Sequence, residues 1–443
     1  MSGLPVIITI PWLREQYRSK TLDPAEVVEK IISCARRTKD MNIWITPPDM
    51  EFIRPYLEGL AAIQFEDSPL WGIPFAIKDN IDLAGVPTTA GCPAYAYTPQ
   101  DSAVVVKRLI QVGAIPVGKT NLDQFAAGLV GIRSPYGEVH NALQEDLISG
   151  GSSSGSAVAV AQGQAAFALG TDTAGSGRVP AALNNLFGWK PSCGAWPLSG
   201  VVPACASLDC VTALANSLED CEIVDKAARG YEPGDPWSKP YEAPLHQKPE
   251  FILIPQEEPE FFGPYAQGYK KAWHAALERI ENRGPLVKKI DCSPLEHAAA
   301  ILYEGPWVAE RWADLGEFIQ SHPGKVWDVT EKILRGGVGY DAVSLFQAIH
   351  EIYAIRARVR SEFQNAVLVM PTSAGTWTRE QVRNDPIRRN SDMGRYTNHC
   401  NLLDLCALAV PAGFAAEGVP FGITLFALSG DEGLNCWTTS SFE

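Results

Sequence analysis

This chain lacks any run of apolar residues near the roughly 20 needed to cross a bilayer as a helix. Val6 to Ile10 is a short stretch, and the apolar region near the end is broken by Asp404 and Pro411. Positive charge is also in deficit: 37 Lys and Arg face 51 Asp and Glu, for a net charge of -14. That balance argues against a nucleic-acid surface, which must neutralise phosphates, and in favour of a small uncharged or locally recognised substrate. The ten cysteines include no CxxC pair, and the close pair Cys205 and Cys210 has no histidine cluster beside it. They read as reduced thiols packed in a core, with no zinc or disulfide framework, and neither a metal nor an organic cofactor is implied. The N-terminus has no basic leader followed by a long apolar segment, so the expected location is the cytoplasm. Histidine is scarce where it would matter most, with seven in 443 residues and none between Gly150 and Gly177.

What is present, with 46% hydrophobic residues, is ample material for a large core. The first 65 or so residues read as a helical lead-in: Val27, Val28, Ile31 and Ile32 recur at helical spacing, and Asp23 with Pro24 gives a cap and a first-turn signal. From Leu70 short β-branched runs (GIPFAIK, AIPVGKT) alternate with Gly, Pro and Ser-rich turns and with Ala-rich helical sequence such as Ser156 to Leu169. That alternation is an α/β signature. Proline and acidic residues are dense from Tyr231 to Pro264, a surface connection, and charged helical sequence then runs from Tyr265 to about Phe363. Strands return with VLVMPT and PFGITLFA. The expected organisation is therefore one large core over residues 66–434, with a helix-rich insert at about 265–363 and a short tail at 435–443.

The stretch GGSSSGSAVAVAQGQAAFALGTDTAGSG, from Gly150 to Gly177, holds two Gly/Ser-rich loops on either side of an Ala-rich helix. Glycine-rich turns let backbone N–H groups converge on one point, as a developing oxyanion requires. Either loop alone also fits a plain turn. A phosphate loop is not met, because no lysine follows Gly175. Serine in such a loop needs a base, and the nearest histidine in sequence, His140, lies in a loop-like segment. Lysine is the alternative where burial lowers its pKa, and Lys78 ends an apolar strand-like run.

GIPFAIKDNID, GGSSSGSA and GTDTAGSGRVPAALNNLFGWKP resemble, in order and spacing, the motifs of the amidase signature family. The resemblance covers most of residues 20–434. It implies an α/β fold with a central mixed sheet covered by helices on both faces, and hydrolysis of linear amide C–N bonds by a Ser-cisSer-Lys triad. Carried over by position, the nucleophile is Ser176, the shuttle Ser152 in a cis peptide bond, and the base Lys78. Thr173, Ala174 and Gly175, with Ser176 itself, supply the oxyanion hole. Asp172 and Arg178 flank the loop as a structural brace. One departure is Ser154, which stands where the family has glycine.

Within the family, TTAGCPAYAYTP, GKTNLDQFAAGLVGIRSPYG, GVVPACASLDCV and ILYEGPWVAERW are most similar to the allophanate hydrolase branch. This implies cleavage of allophanate in urea degradation, with Tyr303, Arg311 and Gly128 as a substrate clamp. Tyr303 and Arg311 lie about two helical turns apart, so both can face one side of a helix. The branch also implies a two-fold homodimer and a functional link to urea carboxylase. A further C-terminal domain usual in that branch is expected to be absent. Alternative readings are an amidase acting on another small amide, an A-type subunit of a tRNA-dependent amidotransferase, and a non-catalytic protein on the same fold.

Overall fold

The computed structural model describes residues 4–282, 284–440 and 442. Residues 1–3 of the expected lead-in, 283 of the expected insert, and 441 and 443 of the expected tail lie outside these. Eleven strands among the described residues join in one mixed sheet: β1 (Trp44–Thr46), β2 (Pro74–Lys78), β3 (Ile115–Thr120), β4 (Phe167–Asp172), β5 (Phe187–Lys190), β6 (Cys210–Ala215), β7 (Phe251–Pro255), β8 (Leu286–Ile290), β9 (Ala366–Pro371), β10 (Leu405–Ala416) and β11 (Val419–Leu428). Their order is β1-β3-β2-β4-β6-β5-β10-β11-β9-β7-β8. β2 runs parallel to β3 and β4, while β6, β5, β10 and β11 continue antiparallel.

Period-two alternation sends neighbouring residues of the central strands to opposite faces. Phe75, Ile77, Phe167 and Leu169 join one apolar cluster, with Phe75 stacked on Phe167 at 5.2 Å. Ala76, Ala168, Leu214 and Ala409 join another, against the helix Ser154–Ala161. Both faces are therefore covered, and β2, β3 and β4 are buried throughout, which is why they read as continuous apolar runs. The small residues on both sides let that buried helix lie close against the sheet.

The lead-in contains helices Ile10–Arg18, Pro24–Arg37 and Met50–Gly59. Asp23 caps the second of these reciprocally: it accepts from Glu26 N at 2.9 Å, while the Glu26 carboxylate accepts from Asp23 N at 3.0 Å.

Two helical expectations are corrected. The Ala-rich stretch from Ser156 to Leu169 is a helix only to Ala161; Gly163 turns the chain at φ +64°, and Phe167 opens β4. The charged run from Tyr265 is interrupted by β8, an edge strand parallel to β7 whose Lys288 and Lys289 are exposed. Edge strands carry such lysines because one side of the ladder is open, and here they mask the strand pattern. Asn435 to Thr439 of the expected tail lie in the helix Glu432–Thr439. No helix among the described residues is long and apolar enough to cross a membrane.

Candidate active site

The ends of β2 and β4, together with the turn before the helix Ser154–Ala161, converge on one point. Lys78 is the last residue of β2 and is wholly buried. Its Nζ donates to Ser152 Oγ at 2.7 Å and to Thr171 Oγ1 at 2.6 Å. Burial pushes the Lys78 ammonium down to about 7, against the opposing pull of Asp209, Asp123 and Asp172. An amine so placed is free to accept a proton near neutrality. Ser152 is wholly buried, and the peptide bond between Gly151 and Ser152 is cis. Ser154 opens the helix, with its hydroxyl 3.5 Å from Asn121 O, so serine is accommodated where the family has glycine.

Beyond β4 the chain turns through Thr173 to Gly177. Asp172 organises this turn: its carboxylate accepts from Gly175 N at 2.7 Å and Gly177 N at 3.1 Å, and binds Arg178 through Nε and Nη2, both at 2.9 Å. Burial favours the protonated acid, but the Arg178 guanidinium outweighs it and holds the Asp172 carboxyl below its usual range. Gly175 adopts φ +132°, and a Cβ there would run into the Thr397 side chain, so the turn needs glycine at this position. The N–H of Gly175 is thus committed to Asp172, unlike the expectation that it serves the oxyanion. The N–H groups of Thr173, Ala174 and Ser176 meet no acceptor among the described residues. Ser176 is 5% exposed, and its Oγ donates to Gly128 O at 3.5 Å.

Tyr303 and Arg311 are not on one helix. Tyr303 belongs to Ser293–Glu304 and Arg311 to Val308–Ser321, because Gly305 is extended and Pro306 cannot donate an amide. They meet across that break, with the Arg311 guanidinium 5.4 Å from the Tyr303 ring centroid. Arg311 is 4% exposed, and no carboxylate among the described residues lies within ion-pair distance of it. A buried guanidinium in that condition is a ready receptor for an anion.

Several residues at this site escaped sequence reasoning. Asp209 is buried, and burial raises it to about 6; it accepts from the Thr173 hydroxyl and from Ala204 N and Cys205 N. Asp123 accepts from the N–H groups of Val130, Gly131 and Arg133, and so holds the loop that carries Gly128. Asn401 Nδ2 donates to Asp172 O at 2.8 Å and to Leu208 O at 2.7 Å. His399 is buried and pushed down to about 3, by burial and then by Arg178, so it is an uncharged imidazole at neutrality. His140 lies at an isolated bridge to Ile148, 3.7 Å from Glu145. Elsewhere, Glu222, His246 and Cys436 place one donor atom each within 4.8 Å of one another, a set that could hold a metal ion apart from these residues.

The amidase family model matches residues 26–436. The chain is 42% identical over 422 residues to a urea amidolyase of Saccharomyces cerevisiae, a match covering 94% of this chain and 23% of that protein. It thus spans under a quarter of the length of that relative. It is 32% identical to the A-type subunit of the glutamyl-tRNA(Gln) amidotransferase of Methanosarcina acetivorans, over 92% of this chain and 89% of that one. The structure of Kluyveromyces lactis allophanate hydrolase superposes with a TM-score of 0.92 at 38% identity, over 99% of this chain and 73% of that one. The motifs, the mixed sheet and these matches together make the chain a member of the amidase family.

Proposed function

We propose that this chain hydrolyses the terminal amide of allophanate, a urea carrying a carboxylate, with Ser176 as nucleophile, Ser152 as shuttle and Lys78 as base. The observation that carries the reading is the 2.7 Å contact between a wholly buried Lys78 and the Ser152 hydroxyl; the buried Arg311, without an ion-pair partner among the described residues, supports the choice of substrate. Neutral Lys78 takes the proton of Ser152 as Ser152 takes that of Ser176. The Ser176 hydroxyl turns from the Gly128 carbonyl to Ser152 for this step, and its oxygen attacks the amide carbon. The tetrahedral oxyanion is held by the N–H groups of Thr173, Ala174 and Ser176, each such donor being worth about 3 kcal/mol. The relay returns the proton to the leaving nitrogen, ammonia departs, and water releases the acyl group by the same path. Arg311 and the Tyr303 hydroxyl hold the carboxylate, and the Gly128 carbonyl accepts a substrate N–H.

The names of the relatives, urea amidolyase and allophanate hydrolase, support this choice of amide. A functional link to a urea carboxylase follows from the substrate; a two-fold dimer and a cytoplasmic location belong to the same proposal. So does the division into a lead-in at 1–65, a catalytic core at 66–434 with its insert, and a short tail.

Two measurements test it. Ammonia release is expected from allophanate with a kcat/KM roughly 100-fold above that for malonamide or biuret, and none from any of the three with Ser176→Ala. Equal rates on all three amides would defeat the substrate assignment, and residual turnover by Ser176→Ala would defeat the nucleophile. Because the base must be neutral, kcat/KM is expected to rise with pH through about 7 and level off above it. A profile flat from about pH 6 to about pH 8 removes Lys78 from that role.

A further inference from the structure

Lys190 closes β5 and is wholly buried. Its Nζ donates to Pro191 O at 2.9 Å and lies 3.9 Å from Cys193 Sγ. No carboxylate among the described residues is within ion-pair distance of it, and the nearby Asp172 is taken by Arg178. Lys78 answers the same burial by giving up its proton near neutrality; for Lys190 to keep its own, a neighbouring negative charge is needed. The groups around it able to supply one are thiols: Cys193, Cys210 and Cys400.

Cys193 is the one set up to ionise. Its Sγ lies 3.6 Å from Leu208 O, while Cys210 Sγ lies 3.3 Å from Pro191 O, and the neighbouring Cys210 side chain, then Lys190, hold the Cys193 thiol below its usual range. The closeness of the two cysteines follows from register. β5 and β6 pair antiparallel with Trp189 opposite Ala213, so the chain beyond β5 runs back alongside Cys210, the first residue of β6. Cys193 is half-buried and lines a cavity of about 310 Å3 shared with Asp209, Asn401, Trp307 and Arg356. A small oxidant therefore has a way in. The other half-buried cysteines have no such setting: Cys292 is pushed up to about 12 by burial, and Cys34 lies against Gln162 O.

We propose that Cys193 and Cys210 form a peroxide-sensitive dithiol that switches the hydrolase off when oxidised. The Cys193 thiolate attacks one oxygen of a hydroperoxide and the O–O bond breaks. Hydroxide or alkoxide leaves and takes a proton from solvent, and the sulfur, oxidised by two electrons, becomes a sulfenic acid. The Cys210 sulfur then attacks it, the S–O bond breaks, and the hydroxyl leaves as water with the Cys210 proton. Two thiols and one peroxide thus give one disulfide, one water from the second step, and one further water or alcohol from the first.

The consequence for the site is built into the sheet. Cys210 is the direct partner of Asp172 in the β4–β6 ladder, and Asp172 shapes the turn that presents Ser176. Cys193 Sγ also lies 3.6 Å from Leu208 O, which accepts from Asn401, whose amide holds Asp172 O. Drawing the two sulfurs to bonding distance pulls on both supports of the turn.

Peptide mapping by mass spectrometry tests the dithiol without reference to any substrate. In the unmodified chain at about pH 7, iodoacetamide is expected to label Cys193 about tenfold faster than Cys34 or Cys292. Hydrogen peroxide is expected to produce a Cys193–Cys210 disulfide that dithiothreitol reverses, and in Cys210→Ser a sulfenic acid at Cys193 that dimedone traps. Amide hydrolysis, followed in parallel, is expected to fall with disulfide formation in the parent and to persist in Cys193→Ser. Labelling of Cys193 no faster than of Cys34, or oxidation of other cysteines first, overturns the dithiol. Loss of hydrolysis in peroxide-treated Cys193→Ser at the parent's rate overturns the switch.

Discussion

Replacing Lys78 with methionine is expected to abolish amide turnover and at the same time to stabilise the fold. The ammonium of an unfolded chain titrates near 10.5, while burial brings that of the folded chain to about 7. Between those values the unfolded state binds the extra proton, so stability falls as pH drops through this window and the full penalty is present at and below about 7. The shift corresponds to about 5 kcal/mol. Methionine fills a similar volume without a charge to bury, but forgoes hydrogen bonds to Ser152 and Thr171, together worth about 2 kcal/mol. The balance is a gain of about 3 kcal/mol at neutral pH. Denaturation with urea across the pH range checks it: the advantage of Lys78→Met should be full near pH 7, vanish near about 9, and turn into a deficit of about 2 kcal/mol above about 10.5, where only the lost hydrogen bonds remain. A variant no more stable than the parent at pH 7 would mean that the amine is not held neutral at a cost. The expected pairing of lost turnover with gained stability distinguishes a poised base from a structural lysine, whose removal destabilises.

The same physics explains which parts of the site were legible in the sequence. Lys78, Ser152 and Ser176 could be found because Gly/Ser loops are locally distinctive and their order along the chain restricts the alternatives. Asp172 and Arg178 flank the second loop in sequence, and their brace lies beside it in space. Asp209, Asp123, Thr171 and Asn401 were not singled out, because each is one polar residue brought in by a different element, and nothing local marks a contact such as that of Asn401 with Asp172 across 229 positions. The strand order was equally hidden: β5 lies between β6 and β10, a neighbourhood fixed by tertiary packing. Where periodicity misled, the cause is local. Small buried residues continue an apolar pattern past a glycine turn at Gly163, and edge lysines disguise β8. Gly305 and Pro306 break what spacing alone read as one helix, yet the break turns Tyr303 and Arg311 towards each other.

That pairing underlies the other large effect. Arg311→Ala is expected to lower kcat/KM for allophanate by a factor of roughly 10² to 10³, equivalent to about 3–4 kcal/mol of lost charge-assisted binding. The loss is specific to charge. Biuret replaces the carboxylate with a neutral amide, so its slower turnover should change by less than about tenfold. Arg311→Lys keeps the charge but loses the planar fork that binds both carboxylate oxygens, and should fall between parent and alanine. Folding is expected to survive, because Asp209, the buried carboxylate that Arg311 influences, keeps its hydrogen bonds from Thr173, Ala204 and Cys205 when the guanidinium is removed. Asp209, which is near enough to act on Arg311, reaches about 6 when buried, so its ionisation above that pH offsets part of the guanidinium charge. The preference for allophanate over biuret should therefore weaken modestly as pH rises through about 6, and Arg311→Ala should abolish that trend. Steady-state kinetics on both substrates, at pH values on either side of 6, tests the charge assignment. Equal losses on allophanate and biuret in Arg311→Ala would assign the arginine to holding the site together and would leave the carboxylate without a receptor.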